Sequence, residues 1–410
     1  MADVDQKDLL KSDVLILGGG LVGLTLALAL DVHGVSSIVV DPANPADILA
    51  PGHDGRASAV ASGPYAMLEA IGVGARLAGK GCPIRTIEVR DGLQKKPLIF
   101  ASEPDEPPLG YMFENRALRM ALHEQAAQAK NIRLMMQDRA VEIDRGPLGV
   151  VATLQSGVTV KSGLLIGAEG RQSPTRDAAG INTARWQYDH SAVICMVEHE
   201  LSHENVAHEI FYADGPFAIL PMLPGNRSCV VWTVSRDDAP ALATLPEKAF
   251  LAEMHRKTGG LLGQMKLLSP RSFYPLSFHH TAKITGERLA LVGDAAHGIH
   301  PIAGQGLNLG LRDAATLAEV LVDGIRLGLD AGDAQLLARY ERWRALDSLM
   351  VAGATDGFVH LFGVGGKIAR GVRRFGLNLV EHLPPLKQSF MNEARGASGD
   401  LPKLLHGMTI

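Results

Sequence analysis

The chain of 410 residues has only three cysteines, Cys82, Cys195 and Cys229, and they stand far apart. No spacing of a zinc site, a redox motif or a disulfide framework is present, so no metal is expected and the thiols read as reduced core residues. Charge of one sign is missing too: 40 Lys and Arg against 44 Asp and Glu leave a net charge of −4. That balance removes the electrostatic footprint of a nucleic-acid binder. No uninterrupted apolar run reaches the roughly 18 residues that cross a bilayer as a helix. The nearest stretch, Leu21–Leu30, is short and follows a glycine loop. The N-terminal MADVDQKDLLKSD is acidic where a secretory signal would be basic. Internal repeats and low-complexity linkers are absent as well. The expectation is a soluble cytoplasmic protein, at most peripheral on the inner face of a membrane.

Glycine, by contrast, is abundant at 45 residues, beside 46% hydrophobic and 5% aromatic residues. This composition suits an α/β protein rich in tight turns, and the length allows one large domain or two intimately joined ones. The apolar strand Asp13–Leu17 runs into Gly18-Gly19-Gly20-Leu21-Val22-Gly23 and then a helix over Leu24–His33. A second strand, Ser37–Val40, ends at Asp41. In that context the glycines form a dinucleotide fingerprint: Gly18 for the tight turn, Gly20 for approach of a pyrophosphate, Gly23 for helix–strand packing, and Asp41 for ribose hydroxyls. The motif alone serves FAD and NAD equally.

The stretch that decides between them is Leu289–Arg312, LALVGDAAHGIHPIAGQGLNLGLR. A buried strand turns on Gly293-Asp294, crosses a Gly/Pro/His loop and enters a helix at about Gln305. Asp294 can accept hydrogen bonds from a polyol, Gly304 and Gly306 let the backbone approach a flat ring, and the helix start offers free N–H groups. Such a loop, distant in sequence from the fingerprint, suits a long cofactor whose ADP end rests on Gly18–Gly23 while its ribityl chain reaches Asp294. That describes FAD. No second fingerprint marks a nicotinamide domain, so NAD(P)H would bind transiently, near Glu169–Arg176.

Between these motifs, Asp54-Gly55-Arg56 opens an expected helix through Leu68, with Arg56 either a helix-end cation or a donor to phosphate or flavin oxygens. Asn115-Arg116 begins an amphipathic helix, and an arginine in a first turn asks for an anionic partner, cofactor phosphate or a nearby carboxylate. Glu169-Gly170-Arg171 through Arg176 is a strand-turn suited to phosphate or a charged surface loop. Period-two alternation in 192–197, 208–213, 216–220, 228–234 and 271–279 predicts an antiparallel second sheet, with a helix over about 246–258. In it Phe217, Leu220 and Pro221 would present an apolar wall to a substrate. The tail from 350 to 395 mixes apolar faces with Lys367, Arg370, Arg373 and Arg374. Such a tail either lies on a membrane or closes the domain.

Taken together, DVLILGGGLVGLTLALAL, DGRASAV, ENRALRMAL, GAEGRQSPTR, GPFAILPML and LVGDAAHGIHPIAGQGLNLGLRD resemble the class A flavoprotein aromatic hydroxylases. The likeness spans essentially the whole chain and is greatest to the ubiquinone-biosynthesis hydroxylases, whose quinone branch typically carries the His297…His300-Pro301 pattern. It implies an α/β fold: a three-layer Rossmann-like FAD-binding domain with an inserted antiparallel-sheet substrate domain and C-terminal helices. The expected division gives 1–81, 114–182 and 287–350 to the FAD domain, 82–113 and 183–286 to the substrate domain, and 351–410 to the helical tail.

The resemblance implies Gly18, Gly20, Gly23, Asp41, Arg116 and Asp294 as FAD ligands, Arg56 near the flavin, and Gly304, Gln305 and Gly306 under its ring. Asp41 stands where glutamate is more usual, and Glu169 where the pattern has aspartate. The implied reaction is hydroxylation of a polyprenyl phenol through a flavin C4a-hydroperoxide, with O2 as co-substrate and NAD(P)H or another reductant as donor. The flavin carries the chemistry, so no general base is assigned; His297, His300 and Pro301 would sit near the ring and shape the loop. Other ubiquinone-biosynthesis proteins are the expected partners. Two other readings keep the flavin: a reductase or epoxidase of isoprenoid lipids, and a non-catalytic subunit of a quinone-assembly complex.

Overall fold

The computed structural model describes residues 9–48, 50, 56–94, 96–298, 305–345 and 384–410. The chain begins with β1 (Leu9–Leu17), α1 (Leu21–Asp31), β2 (Ser37–Asp41) and α2 (Pro45–Ile48). β3 (Ala57–Ala61), α3 (Ser62–Ala70), α4 (Gly74–Leu77), β4 (Cys82–Ile84), β5 (Thr86–Asp91), β6 (Leu98–Ala101) and β7 (Gly110–Glu114) follow. Then come α5 (Asn115–Ala126), β8 (Ile132–Met136), β9 (Ala140–Gly146), β10 (Gly149–Leu154), β11 (Thr159–Gly167) and α6 (Pro174–Ala178). The middle of the chain gives β12 (Thr183–His199), β13 (Val206–Tyr212), β14 (Gly215–Met222), β15 (Arg227–Ser235), α7 (Ala239–Thr244) and α8 (Glu247–Thr258). It closes with β16 (Met265–Leu267), β17 (Ser272–Thr281), β18 (Thr285–Gly286), β19 (Leu289–Leu291), β20 (His297–Gly298), α9 (Gln305–Arg326), α10 (residues 334–345) and α11 (Pro384–Ala394).

An eight-stranded sheet has the order β18-β19-β11-β1-β2-β8, with β10 and β9 continuing from β11. β1 runs parallel to both β2 and β11, and β11 parallel to β19, so the ends of β1 and β19 arrive on the same edge of the sheet. α1 is apolar around its whole circumference and Leu24–Leu30 are all buried. A helix of that kind needs cover on every side; it lies against β2 and under α5 and α9.

The second sheet has nine strands, order β20-β17-β12-β15-β14-β13-β5-β6 with β16 pairing β12 off this path, antiparallel except where β5 joins β13. Strand alternation gives it two distinct faces. Phe217, Ile219, Val230 and Trp232 point to one, where Phe250 and Met254 of α8 cover them. Met196, Ala207, Met222 and Cys229 point to the other, against Cys82 and Met112.

Two local expectations change. Residues 57–61, read as the start of a helix, form β3, because Ala57–Ala61 pair with 110–114 and the helix begins only at Ser62. β4 and β7 do not join the nine-stranded sheet either; with β3 they form a separate three-stranded one, and only β5 and β6 of that region extend the larger sheet. Residues 351–383, with Lys367, Arg370, Arg373 and Arg374, lie outside the described residues; α11 is the described helical part of the tail.

Candidate active site

The β1–α1 turn shows why its glycines are required. Gly18 has φ +110°, and a Cβ there would lie 2.4 Å from the Ala168 carbonyl oxygen. A Cβ on Gly23 would fall 2.0 Å from the Gly18 carbonyl oxygen, so helix and turn meet backbone to backbone. Gly20 differs: a Cβ on it meets no protein atom within 4 Å. Gly20 caps α1 with no side-chain bond, and the first turn of α1 has no acidic residue. The N–H groups there face an open space suited to an anion. Asp41 accepts from Gly19 N at 2.6 Å and Ala43 N at 2.7 Å, one bond per carboxylate oxygen. A carboxylate has about four acceptor positions, which leaves room for ribose hydroxyls.

The Gly293-Asp294 turn packs directly on this one. Val22 of α1 sits against Gly293, where a Cβ would be 3.2 Å from its Cγ2, and against Gly310 of α9, where the distance would be 2.7 Å. The turn is then tied from four directions. His279 Nε2 donates to the Asp294 carbonyl at 2.7 Å, and Arg171 Nε reaches the Asp294 carboxylate at 3.1 Å. Arg176 donates to the Ala295 carbonyl at 3.2 Å, and Gly293 N donates to Asp313 Oδ2 at 2.8 Å.

Asp313 is the hub beneath the turn. Its side chain and that of Arg344 are completely buried, with Arg344 Nε 2.6 Å from Asp313 Oδ1. His297 Nε2 lies 2.9 Å from Asp313 Oδ2. Burial by itself would push the Asp313 carboxyl up, but His297, Arg344 and the bond from Gly293 outweigh it and hold it below the usual range. Neither Asp313 nor Arg344 was singled out in the sequence. The available signal for Asp313 was the set of charged residues Arg312, Asp313 and Glu319 within a largely apolar helix, LRDAATLAEV.

Several expectations shift with these positions. His297 is buried beside Asp313 and braces the turn from below, in keeping with a loop-shaping role. Glu169 is occupied within its own loop, accepting from Ser173 Oγ at 2.5 Å, Thr175 Oγ1 at 2.9 Å and Thr175 N at 3.3 Å. Arg176 is fully buried. Of that segment, read as suited to phosphate or as a charged surface loop, Glu169 and Arg176 serve as internal braces and Arg171 remains partly exposed. Arg56 stacks on Tyr274, 5.0 Å from the ring centroid, with Nε 3.2 Å from its hydroxyl. Arg116 Nε donates to the Ala50 carbonyl at 2.7 Å. His300, Pro301 and Gly304 lie outside the described residues; α9 begins at Gln305, and a Cβ on Gly306 would meet nothing within 4 Å.

The expected wall of Phe217, Leu220 and Pro221 is divided between the two sheet faces. Phe217 is fully buried, edge-on to Trp232 in the α8 layer. Leu220 packs in the opposite cluster, toward Ala57 and Ala59 of β3. Strand alternation places Pro221 with Phe217. Asn308 of α9 grips β3 through Ala61 N at 2.9 Å and the Ala59 carbonyl at 3.0 Å. The start of α9, β3 and the Leu220 face therefore converge.

His279 and His280 beside this turn have pKa values lowered chiefly by burial. His123, His199 and His208 are lowered for the same leading reason. With folded values below the unfolded value of about 6.5, their contribution is complete above that pH and is lost as pH falls through the folded values. Measured on Glu209→Gln, which removes a carboxyl that burial pushes the other way, up to about 7, thermal midpoints should therefore drop steadily from pH 7 toward pH 5. A midpoint that is flat or rises on acidification would contradict the burial assigned to these rings.

Comparison with known proteins agrees with this geometry. The FAD binding domain family matches residues 11–351. The ubiquinone hydroxylase UbiL of Rhodospirillum rubrum is 44% identical over 402 residues, covering 97% of this chain and 94% of that protein. The 3-demethoxyubiquinol 3-hydroxylase of Escherichia coli is 32% identical, covering 94% of this chain and 98% of its own. Among solved structures, p-nitrophenol 4-monooxygenase PnpA of Pseudomonas putida superposes with a TM-score of 0.78 at 18% identity, over 96% of this chain and 99% of that one, a likeness of fold. The open cradle at Gly20, the acceptors of Asp41 and the braced Gly293-Asp294 turn fit FAD, and the chain belongs to the FAD-binding-domain family, among the FAD-dependent hydroxylases of ubiquinone biosynthesis.

Proposed function

We propose that this flavoprotein adds one oxygen atom from O2 to the aromatic ring of a polyprenyl phenol on the route to ubiquinone. The observation that carries the reading is the 44% identity to a ubiquinone hydroxylase across 97% of the chain. The convergence of an apolar sheet face with β3 and the start of α9 supports it. FAD, when bound, supplies the activation of O2. The chain's own part is to hold the cofactor at Gly18, Gly20, Gly23, Asp41 and Asp294, with Arg56 and Arg116 at its flanks and Gly304, Gln305 and Gly306 under the ring. It also keeps water from the apolar face where the phenol ring would lie.

The reductant is NAD(P)H or another donor that binds transiently. None of the helices among the described residues is long and apolar enough to cross a membrane. We assign the basic tail to peripheral contact with the cytoplasmic side of the membrane, where the lipid substrate resides, and to docking of other ubiquinone-biosynthesis proteins. Deleting the gene and analysing quinone lipids by mass spectrometry tests the reaction: a prenylated phenol lacking one or more oxygens should accumulate, and its structure gives the ring position. Unchanged lipids, together with no phenol-dependent O2 uptake by the purified holoprotein, would sink the reading.

A further inference from the structure

Glu209 sits in the middle of β13, within AHEIFY, where a charged residue is out of keeping with its neighbours. Its place in the sheet follows from register. Glu209 lies opposite Ala218, Ala218 opposite Val231, and Val231 opposite Ile194. Directly opposed residues share a face, so all four belong to one row. Ile194 and Val231 of that row pack both on the cluster holding Ala57, Ala59 and Leu220 and on the one holding Leu309 of α9. Glu209 is thus on the face that converges with the start of α9 and with β3, and not on the α8 face.

The carboxylate has no counter-charge there. Burial is the sole influence on its titration and pushes it up to about 7. It has no hydrogen-bond or ion-pair partner among the described residues. Even so, the residue keeps part of its surface accessible. By alternation the ionisable groups on the same face are Asp91 of β5, His190 and Glu198 of β12, Arg227 and Cys229 of β15, Lys266 of β16, and Tyr274 and His280 of β17, with Cys82 of β4 and Arg56 facing them from the three-stranded sheet; Arg227 and Lys266 both pair with Glu198. Both thiols are pushed upward by burial, Cys82 to about 11 and Cys229 to about 12, so neither competes as a base near neutrality. His208 and Glu88 pair with each other on the opposite face.

Resting on the hydroxylase reading, we propose that Glu209 is the catalytic base that accepts the hydrogen bond of the substrate's ring hydroxyl and takes its proton. The O–H bond breaks, the proton passes to a Glu209 oxygen, and the electron pair stays on the ring oxygen. This makes the ring more electron-rich, as transfer of an electrophilic oxygen requires. When the hydroxylated ring regains aromaticity the ring carbon loses its hydrogen as a proton to water, and Glu209 returns its own proton to the ring oxygen. A base that titrates near the working pH is well matched to such a transfer.

The test compares wild-type holoprotein with Glu209→Gln, which keeps shape and hydrogen bonding but cannot accept the proton. FAD content and thermal midpoint at pH 8 should be no lower in the variant, because an uncompensated buried charge is removed. Turnover should fall by about 10²–10⁴-fold, and the acid limb of the kcat/KM profile near pH 7 should vanish. A para-nitrophenol carrying an alkyl chain gives a readout independent of turnover: the wild type should bind it partly ionised without releasing a proton to buffer, and the variant should bind it neutral. Retention of the acid limb and of the ionised probe in Glu209→Gln would overturn the assignment. A wild type that ionises the probe through Glu209 yet hydroxylates no phenol would uphold the base and overturn the reaction proposed above.

Discussion

Arg344→Met should lower the unfolding free energy by about 3–5 kcal/mol, the cost of stranding a buried charge. The stranded group is Asp313, whose fully buried carboxylate has Arg344 on one oxygen and Gly293 N with His297 on the other. Replacing both charges, Asp313→Leu with Arg344→Met, should cost less than Arg344→Met alone, since no isolated ion remains. A residual loss of about 1–3 kcal/mol is expected from the Gly293 N–H left without its acceptor. Urea denaturation of the wild type, the two single variants and the double variant completes the cycle. Equal losses in the single Arg344 variant and the double variant would show that charge burial is not what couples these residues. FAD titration of the same set should show weaker binding wherever Gly293 loses Asp313, because the turn that presents Asp294 is then untied.

The second large effect belongs to the first turn. Gly23→Ala places a Cβ 2.0 Å from the Gly18 carbonyl oxygen, a backbone atom with nowhere to retreat. Overpacking of this kind costs about 1–3 kcal/mol, which corresponds to a fall of about 5- to 150-fold in FAD affinity if the turn shifts to relieve it. Gly20→Ala separates the two roles of the motif. Its Cβ meets no protein atom within 4 Å, so the apoprotein midpoint should not change while FAD affinity drops. FAD fluorescence titration with differential scanning measures both. If Gly20→Ala bound FAD as tightly as the wild type, the space above α1 would not be where the pyrophosphate lies.

The cofactor turns were legible in the sequence because they are local. Gly18, Gly20 and Gly23 follow from the room available around a strand-to-helix crossover within six residues, and Asp41 from the end of the next strand. The strands of the second sheet were legible for the same reason, since alternation is a property of neighbours. The partner of a strand is not: residues 57–61 read as helix until Gly110–Glu114 arrives beside them. Nor could the sequence say which face Phe217 or Leu220 would take, because one residue of register moves a side chain from one face to the other. Thus Phe217 went to α8 and Leu220 to the face covered by β3.

The sequence by itself marked the first turn as the place expected to hold a dinucleotide, the Gly293-Asp294 loop as its expected companion, and the family to which the chain belongs. Only the tertiary structure decided that His297 and Glu169 are braces, that Asp313 and Arg344 meet from two helices, and that Glu209 lies on the sheet face opposite α8 with burial as the sole influence on its titration. Burial and charge pairing are sums over residues distant in the chain. A carboxylate's role depends on which cations the fold brings within about 4 Å, and spacing along the sequence carries no record of that.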